Sequence, residues 1–381
     1  MKALKFIFKK TFIYYAYITY CSLIFMLITL VSCATSKPFK NNDKSINVVF
    51  KNQIETINIL QNLWVENENG WPYANFTNPV KEDISLFFKK YSKHKAVKMT
   101  QEIANSELSF SGPLAIASRL SSFPNAKITN SFEDIYSQLP LKENVNAKAY
   151  LDDYVKQLNL FYIESNVSGF LKKHSKSYTS SKTEILSLIP DKKVLLNMEN
   201  YYGKEFSNYY FIPSLTLFPM AFGTKIKNNM NSFDLYQIVG AQEDFDNVNN
   251  KYGFSNKDNL YILSLHEYGH SFVDITTQMV NRTKHLQNAV AKEMEEISYA
   301  DWDVALDEHI VRSIEIRILN TIVGMETNTK NLREKYINNG FKYIPFIEQH
   351  LSENYENNRK EYKTFKQYLP KLISSLAEYK K

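Results

Sequence analysis

The segment Leu-Ser-Leu-His-Glu-Tyr-Gly-His-Ser-Phe, residues 263–272, contains the pattern His-Glu-x-x-His. Residues four apart lie on the same face of a helix, so His266 and His270 can direct both imidazoles at one metal ion. Glu267 lies about 100° further round the helix, where it can hold a water molecule beside that metal. A catalytic zinc site has three protein ligands and one open position for water. The segment therefore predicts metal-assisted hydrolysis, usually of a peptide bond.

Apart from the motif itself, the residues of this segment are uncharged. Uncharged flanks suit a buried metal helix, because an unpaired charge beside the site would have to be desolvated. Histidine is scarce, with seven residues in a chain of 381, so the pattern rarely arises by chance. The alternative is a buried helix whose two histidines are satisfied by hydrogen bonds. We predict one bound Zn²⁺.

The third ligand has to come from another part of the chain. No histidine follows His270 at the offset used by the longer pattern His-Glu-x-x-His-x-x-Gly-x-x-His. Residues 302–322 have helical apolar spacing, and Glu308, Arg312 and Glu315 fall on the apolar side of that helix. Charges on an apolar stripe need partners. A metal bound by Glu308, with Arg312 bridging to it, would supply them. A buried pair of these two residues without metal is the alternative.

Other carboxylates compete with Glu308 for the metal, namely Glu293, Glu295, Glu296, Asp303, Asp307 and Glu315. The first three form a charged cluster that is typical of a solvated face. The two aspartates lie near the start of the predicted helix, where the helix dipole favours carboxylates without any metal. Glu315 lies two turns beyond Glu308 and beside two arginines, so an ion pair would explain it. Glu308 is the remaining carboxylate on the apolar side.

These motifs resemble those of the gluzincin group of zinc peptidases. The resemblance implies His266, His270 and Glu308 as zinc ligands and Glu267 as the general base. The chain departs from thermolysin-like enzymes in two respects. Its gap from His270 to Glu308 is longer, and no aspartate follows Glu308 at the fourth position.

The chain is similar, more specifically, to a family of bacterial lipoproteins that have a single large domain of unknown function. The similarity lies in His-Glu-Tyr-Gly-His-Ser-Phe-Val (266–273) and Glu-His-Ile-Val-Arg (308–312). Weaker similarity extends to residues 91–97 and 233–240. The resemblance covers most of residues 45–350, and its most specific parts are the two metal motifs.

The amino terminus has the pattern of an export signal. Four lysines lie in the first ten residues, and residues 11–32 are uncharged and rich in large apolar side chains. Leu-Val-Ser-Cys, residues 30–33, resembles a lipobox, which implies cleavage before Cys33 and a lipid on Cys33. An uncleaved membrane helix is the alternative. Either interpretation places the rest of the chain outside the cytoplasm, and Ala34 favours the outer membrane, on its periplasmic or surface face.

Composition limits the possible partners and the source of stability. The formal charge of +6 falls to +2 after cleavage, because the first 32 residues carry four lysines and no acid. A chain so close to neutral gives no reason to expect a nucleic-acid partner. The only cysteines are Cys21 and Cys33, so the exported part is stabilised by a core and not by disulfides.

Short apolar or alternating runs after residue 184 predict the strands of a small mixed or antiparallel sheet. The runs are residues 185–189, 194–196, 209–217 and 233–239. In zincin-type peptidases a sheet precedes the metal helix, and an edge strand pairs with the extended substrate. Residues 233–239 are the candidate for that edge strand, with an ordinary core strand as the alternative.

The sequence therefore predicts an α+β protein in four parts. These are a signal peptide at residues 1–32, a flexible tether at 33–46, a mainly helical region at 47–180, and a zincin-like catalytic region at 181–381. The catalytic region combines the small sheet, the His-Glu-x-x-His helix, the Glu308 helix and a helical tail. The helical region offers no chemistry of its own, and the serines and lysines at 175–182 predict a loop.

The predicted function is an exported, lipid-anchored zinc peptidase that acts on peptides or proteins. One alternative is a non-catalytic envelope binding protein that keeps a zincin fold, and another is a zinc hydrolase of non-peptide substrates. The intact Glu267 favours catalysis over mere binding, because a degenerate site has no need of its base. A peptidase also needs a donor for the oxyanion, and the candidates are Tyr268, His285 and Tyr299.

Overall fold

The structure is a computed structural model that describes residues 44–67, 77–129, 132–136, 139, 146–190, 192–228, 232–322 and 325–379. The predicted signal peptide, Cys33 and the predicted tether as far as residue 43 lie outside these ranges. Within them, no helix has both the length and the apolar character needed to cross a membrane.

Four strands form one sheet, and they are β1 (Ile46–Val48), β2 (Asn208–Ser214), β3 (Ala221–Lys227) and β4 (Phe233–Gly240). Their order across the sheet is β1-β2-β4-β3. The first three in this order run parallel, and β3 pairs antiparallel with β4. Together with the helices around it, this sheet confirms the predicted α+β class. The predicted strands at 209–217 and 233–239 correspond to β2 and β4, whereas β3 was not predicted.

Helices make up most of the amino-terminal half. They are α1 (Asn52–Asn67), α2 (Pro79–Phe88), α3 (Lys95–Ala104), α4 (Gly112–Ala117), α5 (Glu133–Tyr136), α6 (Ala147–Glu164), α7 (Val167–Lys173), α8 (Ser175–Leu186) and α9 (Lys192–Tyr202). Local sequence explains where several begin. For example, the Asn78 side chain accepts hydrogen bonds from the first backbone N–H groups of α2, and proline occupies the start of that helix.

Two predictions in this half are wrong. The predicted loop at 175–182 lies within α8, the predicted strand at 185–189 is replaced by the end of α8 and a turn, and the predicted strand at 194–196 lies within α9. Short apolar runs do not distinguish a strand from a buried helical turn, and packing decides between them. In α9, Val194, Leu195 and Met198 share a buried helical face.

The carboxyl-terminal half continues with α10 (Lys257–Gly269), α11 (Thr277–Thr283), α12 (Ala291–Glu296), α13 (Trp302–Leu319), α14 (Glu326–Asn338), α15 (Ile344–His350) and α16 (Phe365–Ala377). Helix α10 packs on one face of the sheet, where the Tyr268 ring lies 5.2 Å from that of Tyr209. Helix α1 covers the other face, with Asn58 donating to the Ser214 hydroxyl at 2.8 Å. The helices of the predicted tail are confirmed.

Residues Lys44–Lys381 form one compact unit, so the boundary predicted between residues 180 and 181 does not divide the fold. The reason is that β1, from the amino-terminal region, pairs with β2 of the catalytic region. The predicted tether also ends earlier than expected. Lys44 lies 2.7 Å from a carboxylate oxygen of Glu199, and β1 begins at Ile46.

A buried carboxyl between α1 and the sheet makes stability depend on pH. Glu55 is 2 % exposed and accepts hydrogen bonds from the hydroxyls of Tyr178 (2.8 Å) and Thr216 (2.7 Å). Burial raises the pKa of this carboxyl from 4.5 to about 7, although the two hydroxyls oppose the shift. The neutral form is therefore favoured in the folded protein.

We expect Glu55 to stabilise the protein fully below pH 4.5 and to lose that contribution as the pH rises to about 7. The loss is about 3 kcal/mol at most. Urea unfolding of the parent and of Glu55→Gln across this range measures it, since glutamine does not titrate. The exposed Glu107→Gln is the control. If the difference in unfolding free energy between the parent and Glu55→Gln stays constant with pH, the raised pKa assigned to Glu55 is wrong.

Candidate metal centre

The structure brings together the three residues predicted to bind zinc. The Nε2 atoms of His266 and His270 lie 3.2 Å apart. One carboxylate oxygen of Glu308, Oε2, lies 3.4 Å from Nε2 of His266, and the other, Oε1, lies 3.6 Å from Nε2 of His270. Ligands that bind zinc tetrahedrally at 2.0–2.1 Å are separated by about 3.3–3.4 Å. The three side chains thus form a group of the right size and chemistry to hold such an ion.

Helix α10 presents the two histidines from its last turn. It begins at the N-cap Asn256, whose side chain accepts from the N–H of Asn259, and His270 is its C-cap residue with helical φ and ψ. The four-residue spacing therefore still places both imidazoles on one face. Gly269 allows α13 to approach, because a Cβ there would lie 3.1 Å from Val311.

Each histidine also contacts a carboxylate of α13 through its other ring nitrogen. Nδ1 of His266 lies 3.1 Å from Glu315, and Nδ1 of His270 lies 2.6 Å from Asp307. Glu315 is itself held by the hydroxyl of Tyr336 at 2.9 Å. A carboxylate that accepts the Nδ1 proton leaves Nε2 free for a metal and fixes the ring orientation.

These two positioning contacts were not predicted. The sequence predicts that Asp307 is stabilised by the helix dipole and that Glu315 forms an ion pair with a neighbouring arginine. Instead, Arg317 donates to Glu356 at 2.8 Å and leaves Glu315 to His266. The sequence did contain a signal for these contacts. Asp307 precedes Glu308 by one residue and Glu315 follows it by two helical turns, so all three carboxylates lie on the same predicted helix.

The titration of the three residues follows from their surroundings. Burial holds the pKa of His266 well below its usual value, so its imidazole is neutral, as metal binding requires. Burial also lowers the pKa of His270, but the hydrogen bond and charge of Asp307 outweigh it and raise the value to about 9. Burial opposes ionisation of Glu308, yet the positive charges of Arg312 and His270 lower its pKa. Glu308 is therefore a carboxylate, the form that binds metal.

Arg312 lies against Glu308, as the sequence predicts. One guanidinium nitrogen is 2.9 Å from Oε2 of Glu308, and the guanidinium carbon lies 4.5 Å from the ring centres of both Tyr336 and Phe341. The contact lacks hydrogen-bond geometry, so Oε2 remains a buried oxygen without a hydrogen bond among the described residues. An oxygen left in this state is suited to bind a metal.

Glu267 lies at the floor of a cleft, held by the edge strand of the sheet. Burial raises the pKa of its carboxyl to about 7, and the nearby backbone N–H of Gly223 opposes this shift. Strand β3 passes so close that a Cβ on Gly223 would lie 2.1 Å from the carbonyl oxygen of Glu267. Only glycine permits this approach, which links the edge strand directly to the predicted base.

The cleft has a volume of about 730 Å³ and includes His266, Glu267, His270 and Glu308 among its lining residues. One wall is β3, through residues 221–223, so the edge-strand assignment of residues 233–239 is wrong. Those residues form β4, which lies between β2 and β3. Hydrophobic pattern shows that a run is a strand but does not fix its place in the sheet. The helical half contributes Ser109 and Ser111 to the lining, which was also not predicted.

The structure separates the three candidate oxyanion donors. Tyr299 lines the cleft, and its hydroxyl lies 3.5 Å from Arg312. Tyr268, on α10, is fully buried and packs against Tyr209. His285 lines a different and smaller cavity, of about 130 Å³.

Of the carboxylates that compete with Glu308, those of α12 are not part of the cleft lining. Glu293 binds Lys342 at 2.6 Å, and Glu295 and Glu296 are exposed. Asp303 lines the cleft, but it does not belong to the three-residue group. Among the described residues, Glu308 is therefore the carboxylate that completes the metal group.

Comparison with known proteins yields one match. A family model described as "Domain of unknown function (DUF4932)" matches residues 48–375. No curated protein and no solved structure matches the chain.

Proposed function

The chain belongs to the DUF4932 family, whose description names no activity, and from the chemistry of its cleft we propose that it is a zinc-dependent metallopeptidase of the gluzincin type. The observation that carries the proposal is the grouping of the ligand atoms. Nε2 of His266 and Nε2 of His270 lie 3.2 Å apart, and a carboxylate oxygen of Glu308 lies 3.4 Å from the first and the other oxygen 3.6 Å from the second. Glu267 borders the same cleft without belonging to this group. This division of roles matches hydrolysis by a metal and a separate base.

In the proposed mechanism, His266, His270 and Glu308 would hold one Zn²⁺, while Glu315 and Asp307 keep the two imidazoles oriented. The metal would supply a Lewis acid and lower the pKa of a water molecule. Glu267 accepts the proton of the attacking water and passes it to the leaving amine. Tyr299 is the donor for the oxyanion that develops on the scissile carbonyl, since among the three candidates it is the one that lines the cleft.

We expect the purified protein to contain one zinc per chain and to cleave members of a peptide library. A chelator should abolish cleavage, and added Zn²⁺ should restore it, because the base alone does not activate water sufficiently. Metal analysis and mass spectrometry of the library give the two readouts. Cleavage that survives metal removal would contradict the proposal. Bound zinc with no peptide cleaved would instead support a binding protein or a hydrolase of non-peptide substrates.

We also propose that the protein is exported and anchored in the cell envelope by a lipid on Cys33, with the outer membrane as its site. The support is the basic start, the uncharged segment at residues 11–32 and the Leu-Val-Ser-Cys sequence at residues 30–33.

Replacing Cys33 by serine is expected to leave a longer precursor that incorporates no labelled fatty acid, since the thiol is the group that carries the lipid. Electrophoretic size and label incorporation in the bacterial membrane fraction measure the change. Cys21→Ser is the matched control, because the chain has only these two cysteines. Unchanged size and labelling in Cys33→Ser would refute the lipid anchor.

A further inference from the structure

The charge and shape of the cleft carry a further inference, which rests on the proposed peptidase function. We propose that Asp303 binds a lysine or arginine side chain of the substrate, within about two residues of the scissile bond.

The charged side chains in the cleft are acidic. Apart from the two histidines, the charged residues among its described lining are Glu267, Asp303, Asp307 and Glu308, with no lysine or arginine. A substrate that ends in a carboxylate beside the metal would need a cation here to receive it. The lining therefore disfavours cleavage of single residues from a carboxyl terminus and favours cationic substrates.

Of these four acidic residues, Asp303 is the one whose carboxylate is available to bind a substrate. Glu308 belongs to the metal group, Glu267 is the proposed base, and Asp307 contacts His270 at 2.6 Å. Asp303 is exposed, and no hydrogen bond or ion pair of its carboxylate is found within the described part of the chain. It is not the N-cap of α13, which is Asp301.

The position of Asp303 limits which substrate residue it can reach. It precedes Asp307 by four residues on α13, so it lies one helical turn, about 5.4 Å, along the helix from the contact with His270. An extended peptide rises about 3.3 Å per residue. Asp303 can therefore meet a side chain roughly two residues from the bond being cleaved.

The surroundings of Asp303 select a long side chain with an apolar stem. Val304, next to it, is 43 % exposed and lines the cleft, together with Val273, Ile275 and Val280. Lysine and arginine bury their methylene stems on apolar surface while the charged head remains at a polar site. A cleft that combines apolar side chains with a carboxylate that has no partner among the described residues fits this type of side chain better than a free amino terminus, which has no stem.

The test uses amino-terminally acetylated, internally quenched peptides in which one position at a time is lysine, norleucine or glutamate. At one position near the scissile bond, lysine should exceed norleucine by on the order of tenfold in kcat/KM. Asp303→Asn should lose this preference, and Asp303→Lys should favour glutamate instead. Asp301→Asn, an exposed aspartate two residues away and outside the described cleft lining, should keep the parent preference.

Fluorescence anisotropy separates binding from turnover. It uses peptides of the same sequences that carry the fluorophore without the quencher, and the Glu267→Gln variant with and without Asp303→Asn. Weaker binding of the lysine peptide after Asp303→Asn supports the subsite, even if no peptide is cleaved and the peptidase proposal fails. Peptide cleavage with a lysine preference that survives Asp303→Asn overturns the subsite alone. A preference shown only by unacetylated peptides would assign the cationic group to the substrate amino terminus and overturn the side-chain proposal.

Discussion

Replacing Glu267 by glutamine is expected to lower peptide turnover by about 10²–10⁴-fold while one zinc stays bound per chain. Glutamine keeps the size of the side chain and an acceptor oxygen near the backbone N–H of Gly223, but it does not take a proton from water. The ligand group does not include Glu267, so its replacement leaves the three metal-binding side chains in place. Zinc content and kcat/KM on one cleaved peptide are the two measurements.

The conservative variant Glu267→Asp sharpens this test. It retains a carboxylate but withdraws it by one methylene, so its activity should lie between that of the parent and that of Glu267→Gln. Parallel loss of zinc and activity in Glu267→Gln would show that Glu267 is a ligand instead of the base. Full activity in the same variant would remove Glu267 from the mechanism.

The second large effect concerns the metal itself, since Glu308→Ala should weaken zinc binding more than any other single carboxylate replacement. Removing one of three protein ligands takes away a direct bond to the ion. Asp307→Asn and Glu315→Gln disturb only the orientation of the imidazoles and should cost about 10–100-fold each. Asp303→Ala should leave zinc affinity unchanged, because Asp303 lies outside the ligand group.

Competition with a chromophoric chelator measures all four variants on one scale. Thermal unfolding with and without zinc serves as a second readout, because an ion that binds only the folded state raises its stability. If Glu315→Gln or Asp303→Ala loses more zinc affinity than Glu308→Ala, then Glu308 is a structural residue. The third ligand then has to be sought among the other carboxylates.

Much of the candidate site could be predicted because its signals are local. The four-residue spacing of His266 and His270 and the placement of Glu308 and Arg312 on one side of a helix depend only on helical geometry. The resemblance to a family with a domain of unknown function is confirmed by the match over residues 48–375. The zinc, the peptidase activity and the lipid anchor remain proposals.

The errors arose where structure depends on contacts between distant segments. The alternation in residues 233–239 correctly predicts a strand, but its interior position follows from β4 turning back after β3 and pairing between β3 and β2. The apolar runs at 185–189 and 194–196 are equally compatible with strands and helical turns. The packing of α8 and α9 against the rest of the core favours helix.

The residues of the centre follow from helical spacing alone, namely two imidazoles and the carboxyl of Glu267 from one helix and the carboxylate of Glu308 from another. What surrounds these residues depends on how the helices and the sheet pack. Glu315 and Asp307 reach the histidines, Gly223 lets β3 approach Glu267, and Asp303 lines the cleft with no hydrogen bond or ion pair to the other described residues, because α10, α13 and the sheet pack against one another. Helical periodicity is set by neighbouring residues, whereas these contacts join side chains up to 49 positions apart.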